Sequence, residues 1–247
     1  MPVGMIDQAL LKLSGESFCE EGGKGIDPLE INRIARTIKE VHDKGVKLAI
    51  VVGGGNMIRG ATLSDRGLDR DTADYMGMLG TLINALALQA ALEDIEVPSR
   101  VQTAINADKV AEPYIRRRAI RHLEKGRIVI LAGGAGIPRF TTDTVSVLRA
   151  KELGLNLVLK ATKVDGVYTS DPKTNPDAQR YRCLSFKDAI QKRLKVMDAT
   201  AFTLAEENQV CIQVFNIKKE GNLLKLFQAE DIGTRIDSFM SSQLVGT

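Results

Sequence analysis

Val46-Lys47-Leu48-Ala49-Ile50-Val51-Val52-Gly53-Gly54-Gly55-Asn56 decides how this chain reads. The apolar run Val46–Val52 predicts a strand. Three consecutive glycines then remove every side chain from one turn. Bare backbone can approach a ligand closely there, with several N–H groups directed at it, which suits a phosphate. No lysine follows at Walker spacing, so a cation facing that phosphate must come from elsewhere in the chain.

Working outward, apolar runs alternate with helical patterns. Asp27-Pro28-Leu29-Glu30 reads as a helix start, with Asp27 as N-cap, Pro28 in the first turn and Glu30 completing a capping box. Ile31, Ile34, Ala35, Ile38 and Val41 follow at helical spacing, and Gly45 ends the segment. Further strands are expected at Ala9–Leu13, Val97–Val101, Ile128–Ala132, Leu155–Lys160 and Val210–Phe215. Helices are expected at Asp71–Leu92, Glu112–Lys125, Thr144–Leu153, Ala199–Asn208 and Asn222–Gln228, and a frayed tail after Ile236. The pattern predicts an α/β fold: an open, mainly parallel central sheet with helices on both faces. Lys12-Leu13-Ser14-Gly15, the triple glycine, Gly133-Gly134-Ala135-Gly136 and Lys160-Ala161-Thr162 all end strands. Parallel strands bring such ends to one edge, where open α/β sheets bind ligands.

Composition narrows the function. Of 247 residues, 44% are hydrophobic and 26% charged, and the net charge is +3, ordinary for a globular protein and no sign of nucleic acid. The two histidines argue against a histidine metal site, and no metal ligands are expected. Cys19, Cys183 and Cys211 have no metal or redox spacing and read as reduced thiols of a cytoplasmic protein. Tyr75–Leu92 carries no charge, but its Ala, Gly, Thr81, Asn84 and Gln89 fit a buried or interface helix better than a membrane span.

Lys12, Lys160 and Arg59 near glycine loops supply what phosphoryl transfer needs: backbone donors plus positive charge around transferring oxygens. Thr141-Thr142-Asp143 reads as an N-cap cluster, with Asp143 capping and the threonines presenting hydroxyls to a ligand. Asp165–Tyr168 and Thr169–Pro172 read as turns beside a base and ribose site. Arg116, Arg117, Arg118 and Arg121 spread around a helix, as a solvated face or a regulatory anion site.

These motifs carry a resemblance. Lys12-Leu13-Ser14-Gly15-Glu16, Gly53-Gly54-Gly55-Asn56 with Arg59-Gly60, Asp74-Tyr75-Met76-Gly77-Met78-Leu79, Phe140-Thr141-Thr142-Asp143, the run from Lys160 to Tyr168, and Lys195-Val196-Met197-Asp198 stand in that order. From about Gln8 to Ile236 the chain resembles the bacterial-type uridylate (UMP) kinases of the amino-acid kinase superfamily. The resemblance implies a three-layer sandwich in one domain. An acceptor-nucleotide lobe would cover about 8–160, an ATP lobe about 161–236, and a flexible tail 237–247.

It also implies transfer of the γ-phosphoryl group of ATP to UMP, in pyrimidine nucleotide biosynthesis. Lys12, Leu13, Ser14, Gly15, Gly55 and Arg59 would face ATP, with Thr162, Tyr168 and Asp171 lining its base and ribose pocket. Gly54, Asp74, Ala135, Gly136, Ile137, Pro138, Arg139, Phe140, Thr141 and Thr142 would hold UMP. Lys12, Arg59, Lys160 and Asp198 would be catalytic, with Asp198 orienting Lys12. Mg2+ would be held mainly by ATP phosphates and water. Relatives assemble as homohexamers from dimers, with UTP as inhibitor and GTP as activator. Arg100 and Arg127 match basic positions of the GTP site, whereas Gln89 and Glu93 stand where some relatives are basic. Ile137 and Arg139 replace an Asn and an aromatic residue. Two rivals remain: an acyl-phosphate-forming kinase of the acetylglutamate type, and a non-catalytic uridine-nucleotide sensor.

Overall fold

The computed structural model describes residues 6–58, 67–172, 174–194, 196–228 and 230–245. Gln8–Leu13 (β1) ends in a one-turn 3-10 helix, Gly15–Phe18, and Pro28–His42 (α1) leads to Lys47–Val52 (β2). Arg70–Asp94 (α2), Ser99–Thr103 (β3), Glu112–Pro113 (β4), Arg116–Glu124 (α3) and Ile128–Ala132 (β5) follow. Then come Thr142–Leu153 (α4), Leu157–Thr162 (β6), Tyr181–Ser185 (β7), Phe186–Gln191 (α5) and Ala199–Asn208 (α6). Cys211–Asn216 (β8), Asn222–Phe227 (α7), Thr234–Asp237 (β9) and Gln243–Leu244 (β10) complete the described elements.

The strands form one sheet in the order β10-β7-β9-β8-β6-β1-β2-β5-β3-β4. From β8 to β4 every pairing is parallel, and only β9 on β8 and β10 on β7 run antiparallel. Two buried clusters flank it. One joins α1, α2 and α7 to the Leu11, Leu48 and Ile50 face, the other joins α3, α4, α5 and α6 to the Leu10, Ala49 and Val51 face. Alternate residues of β1 and β2 thus enter opposite cores, as the period of two demands. Both faces being covered explains why β2 is apolar along almost its whole length.

Several local expectations shift. Asp27 caps α1 by accepting from the Leu29 N–H at 2.9 Å, but Glu30 does not close the capping box. It pairs instead with Arg33 at 3.1 Å and Lys218 at 2.6 Å. Glu112 is in the edge strand, not in a helix: the residue before a proline is pushed to extended backbone. Tyr181–Ser185 and Phe186–Gln191 form a strand and a helix that the sequence reading passed over. Beyond Ile236, where a frayed tail is expected, β10 bonds to β7. Half of the most apolar window of α2 is buried inside the molecule.

Candidate active site

Register assembles the centre of the site. Lys12 of β1 and Lys160 of β6 are paired residues on adjacent parallel strands, so their side chains leave the same face at the same level. Both are buried, at 6% and 8% exposure. Two buried cations side by side repel, and Asp143 separates them: Lys12 Nζ lies 2.9 Å from one carboxylate oxygen and Lys160 Nζ 2.6 Å from the other. Lys160 also donates to the Val196 carbonyl.

Asp143 reaches the lysines because it is not the cap. Thr141 takes that position and accepts from the Asp143 and Thr144 N–H groups, both at 3.2 Å. This corrects the expectation that Asp143 caps α4. The positive end of the helix favours a carboxylate in its first turn. Burial pushes the Asp143 pKa up, but attraction from Lys12 and then Lys160 outweighs it, and the net shift is downward. Burial lowers the Lys160 pKa to about 8, against the raising attraction of Asp143 and with added repulsion from Lys12. Lys12, Lys160 and Asp143 together carry one net positive charge at the sheet edge, and Asp198 adds a weaker attraction on Lys160.

Asp198 has another task. It caps α6 through the Ala201 N–H at 2.9 Å and accepts from the Thr144 hydroxyl at 3.0 Å and from the Thr141 hydroxyl. The carboxylate that orients Lys12 is therefore that of Asp143, and Asp198 holds the start of α4. Sequence reasoning missed Asp143 in this role. No local signal ranks Thr141, Thr142 and Asp143 as caps; the extended backbone at Thr141 makes it the cap and frees the Asp143 carboxylate.

The triple glycine lies beside this cluster. Gly53 donates to the Leu13 carbonyl at 2.8 Å, tying the turn to the end of β1. Asn56 and Asn84, both buried, exchange amide hydrogen bonds at 3.0 and 2.7 Å, and Asn84 donates to the Gly53 carbonyl at 2.8 Å. The turn is thus fixed to α2. Its glycines differ in what they face. A Cβ on Gly54 would meet the Gly77 carbonyl oxygen at 2.5 Å, whereas one on Gly55 would meet nothing within 4 Å. Gly54 is demanded by packing, and Gly55 opens onto unfilled space. Gly54→Ala is therefore expected to cost roughly 1–3 kcal/mol in urea denaturation, because backbone must move. Gly55→Ala should fold as the parent does and lose affinity for a phosphate ligand, read by calorimetric titration.

Thr81 of α2 accepts from the Gly133 N–H at 2.8 Å, so one helix holds both glycine loops. The 133–142 loop closes on the start of α2: the Arg139 N–H donates to Asp74 at 2.9 Å and its guanidinium pairs with Asp71 at 2.8 Å. The extra charge of Arg139 is thereby neutralised. Asp74 also pairs with Arg70 at 3.2 Å. Ala135, Gly136, Ile137, Pro138 and Phe140 belong to that loop, with Ile137 and Phe140 exposed.

Thr162, Tyr168 and Asp171 come together with Gly166, Lys192 and Arg193 around a cleft of about 570 Å³. Arg100 lines a separate cleft of about 410 Å³ with Gln89, Glu112 and Arg118. Arg127 connects to it through His122, at 3.1 Å, which contacts Glu112 at 3.0 Å. Arg59, expected to be catalytic, and Lys195 lie outside the described residues. No group of three or more His, Cys, Asp or Glu suited to a metal occurs among the described residues.

Comparison with known proteins bears on the family and the fold. Residues 7–216 match the model of the amino acid kinase family. A solved UMP kinase from Bacillus anthracis is 41% identical, with 97% of this chain and 98% of that one covered at a TM-score of 0.93. A UMP kinase from Ureaplasma parvum is 37% identical, covering 94% and 99% at 0.88. A uridylate kinase from Archaeoglobus fulgidus is 25% identical, covering 92% and 99% at 0.71. With the family match spanning most of its length and the lysine pair and glycine turns in place, the chain belongs to the amino acid kinase family.

Proposed function

We propose that this chain transfers the γ-phosphoryl group of ATP to UMP, forming ADP and UDP for pyrimidine nucleotide biosynthesis. The observation that carries it is the in-register Lys12–Lys160 pair, bridged by Asp143 beside the triple glycine, together with the likeness to solved UMP kinases. The nucleophile is a phosphate oxygen, already anionic near neutral pH, so no general base is required. What two polyanions need is neutralisation and in-line alignment. Lys12 and Lys160 neutralise charge on the transferring group. Gly55 and the neighbouring backbone leave room for phosphate oxygens.

In this reading ATP occupies the cleft at Thr162, Tyr168 and Asp171, with Lys12, Leu13, Ser14 and Gly15 toward its phosphates and Arg59 near them. UMP lies between Gly54, Asp74 and the Ala135–Thr142 loop. Residues from about 161 to about 236 form the ATP lobe in this reading. Magnesium would come with the ATP substrate, and the chemistry it would supply is screening of the phosphate oxygens. That fits a centre whose two carboxylates are engaged by lysines, hydroxyls and a helix cap. The reading includes a cytoplasmic enzyme inhibited by UTP at the acceptor site. GTP activation would act at the cleft lined by Arg100, with Arg127 reaching it through His122.

Turnover of UMP, CMP, dUMP, glutamate, aspartate and carbamate in a coupled ADP-release assay, with and without UTP and GTP, tests it. Selective turnover of UMP supports it. ATP-dependent turnover of the carboxylates or carbamate alone sinks it.

The same reading carries a homohexamer built from dimers. Tyr75, Leu79 and Ile83 recur every fourth residue along α2 and are about half exposed, an apolar stripe on one helix face. Leu79→Glu is expected to lower the mass measured by light scattering without unfolding the subunit. An unchanged mass would remove this stripe from the assembly contact.

A further inference from the structure

Arg149 of α4 is a buried cation that the phosphate centre does not use. Its side chain is 8% exposed and pairs with Glu152 at 2.7 Å. Its guanidinium carbon stacks 3.9 Å from the centre of the Tyr114 ring, and the Tyr114 hydroxyl donates to the same Glu152 at 2.7 Å. Burial first, then the hydrogen bond and charge of Glu152, push the Tyr114 pKa well above its usual value, so it stays a neutral donor. The other terminal nitrogen of Arg149 donates to the Gly134 carbonyl across a long 3.4 Å bond.

Gly134 sits in the loop that closes over the acceptor side. Gly133 and Gly134 both have left-handed backbone, at φ of 74° and 58°. The turn closes on itself through the Gly136 N–H and the Gly133 carbonyl at 3.0 Å, and it packs against Thr103 and Ala104. Two struts tie it to helices: Thr81 of α2 holds the Gly133 N–H, and Arg149 of α4 holds the Gly134 carbonyl. The fork of a guanidinium explains why an arginine is needed. One nitrogen serves Glu152 while the other turns to the loop, and the flat face stacks on Tyr114. A lysine in that place could keep the ion pair but not the second bond.

We propose that Arg149 is a positioning residue for the acceptor nucleotide. It sets the Gly133–Gly136 turn through Gly134 and touches no reacting atom. This rests on the acceptor-side reading of that loop given above. Loss of a strut displaces the loop, and small displacements of a substrate-holding element carry large kinetic effects.

The test is steady-state kinetics of the full chain, with UMP and ATP varied separately, for Arg149→Lys and Arg149→Met, alongside thermal melts. Arg149→Lys keeps the charge beside Glu152 and is expected to stay folded. Its KM for UMP should rise about ten- to a hundredfold while KM for ATP stays within about twofold. Arg149→Met should give the same split, with a lower melting temperature from the unpaired Glu152. If folded Arg149→Lys has the parental KM for UMP, or if both KM values rise together, the positioning role is overturned. If the parent itself does not phosphorylate UMP, the acceptor reading fails first, and the two failures are distinguishable.

Discussion

Lys12→Ala is expected to lower kcat by about 10²–10³-fold while UMP still binds, since one preorganised donor to a developing charge is worth that much. Lys12 is buried at the end of β1 and held by Asp143 at 2.9 Å, so its ammonium group needs little reorganisation to meet the transferring phosphoryl. A lysine in water would first have to shed solvent and choose a rotamer. The fold should survive, because Asp143 keeps Lys160 as partner. Single-turnover kinetics with saturating ATP and UMP, and calorimetric titration of UMP, separate chemistry from binding. Turnover at the parental rate would remove Lys12 from the reaction, and parallel loss of binding and turnover would make it a general anchor.

Asp143→Asn should be the most damaging single change to the folded centre. It deletes the carboxylate between two buried lysines, and leaving buried charge uncompensated costs roughly 3–5 kcal/mol. Activity should change with pH as well. Burial sets the Lys160 pKa near 8 despite the raising effect of Asp143, so the parental kcat is expected to fall as pH rises through about 8. Without Asp143 that raising effect is gone, and the alkaline limb should move to lower pH.

The stability signs follow from proton counts. Between about 8 and 10.5 the unfolded chain holds more protons on Lys160 than the folded one, so this group's contribution to stability rises with pH there. Asp143, shifted downward from 3.8, contributes stability above that value and loses it on acidification. Urea midpoints of parent and variant at pH 7.5 and 9.5, with pH–rate profiles of both, check this. An unmoved alkaline limb would show that a group other than Lys160 sets it.

The strands that carry the site were legible because each is a continuous apolar run ending in glycine or lysine. Burial on both faces leaves no polar alternation, so β1, β2, β5 and β6 stand out against amphipathic helices such as α1. Tyr181–Ser185 and Gln243–Leu244 did not stand out. They are short strands at one end of the sheet, and their pairing with each other and with β9 depends on partners about 50 or more residues away. Asp143 was misread for a related reason: three capping residues in a row cannot be ranked by type. The extended backbone at Thr141 decides which one caps.

The sequence alone determined the parallel α/β sheet, the edge that carries the phosphate loops, and the lysines that face it. Periodicity, strand-ending glycines and family motifs are local along the chain. Only the tertiary structure decided that Lys12 and Lys160 are register partners, that Asp143 rather than Asp198 joins them, and that Gly54 serves packing while Gly55 serves open space. Those facts depend on strand register and on where a helix start points, and burial energy over the whole sheet fixes both.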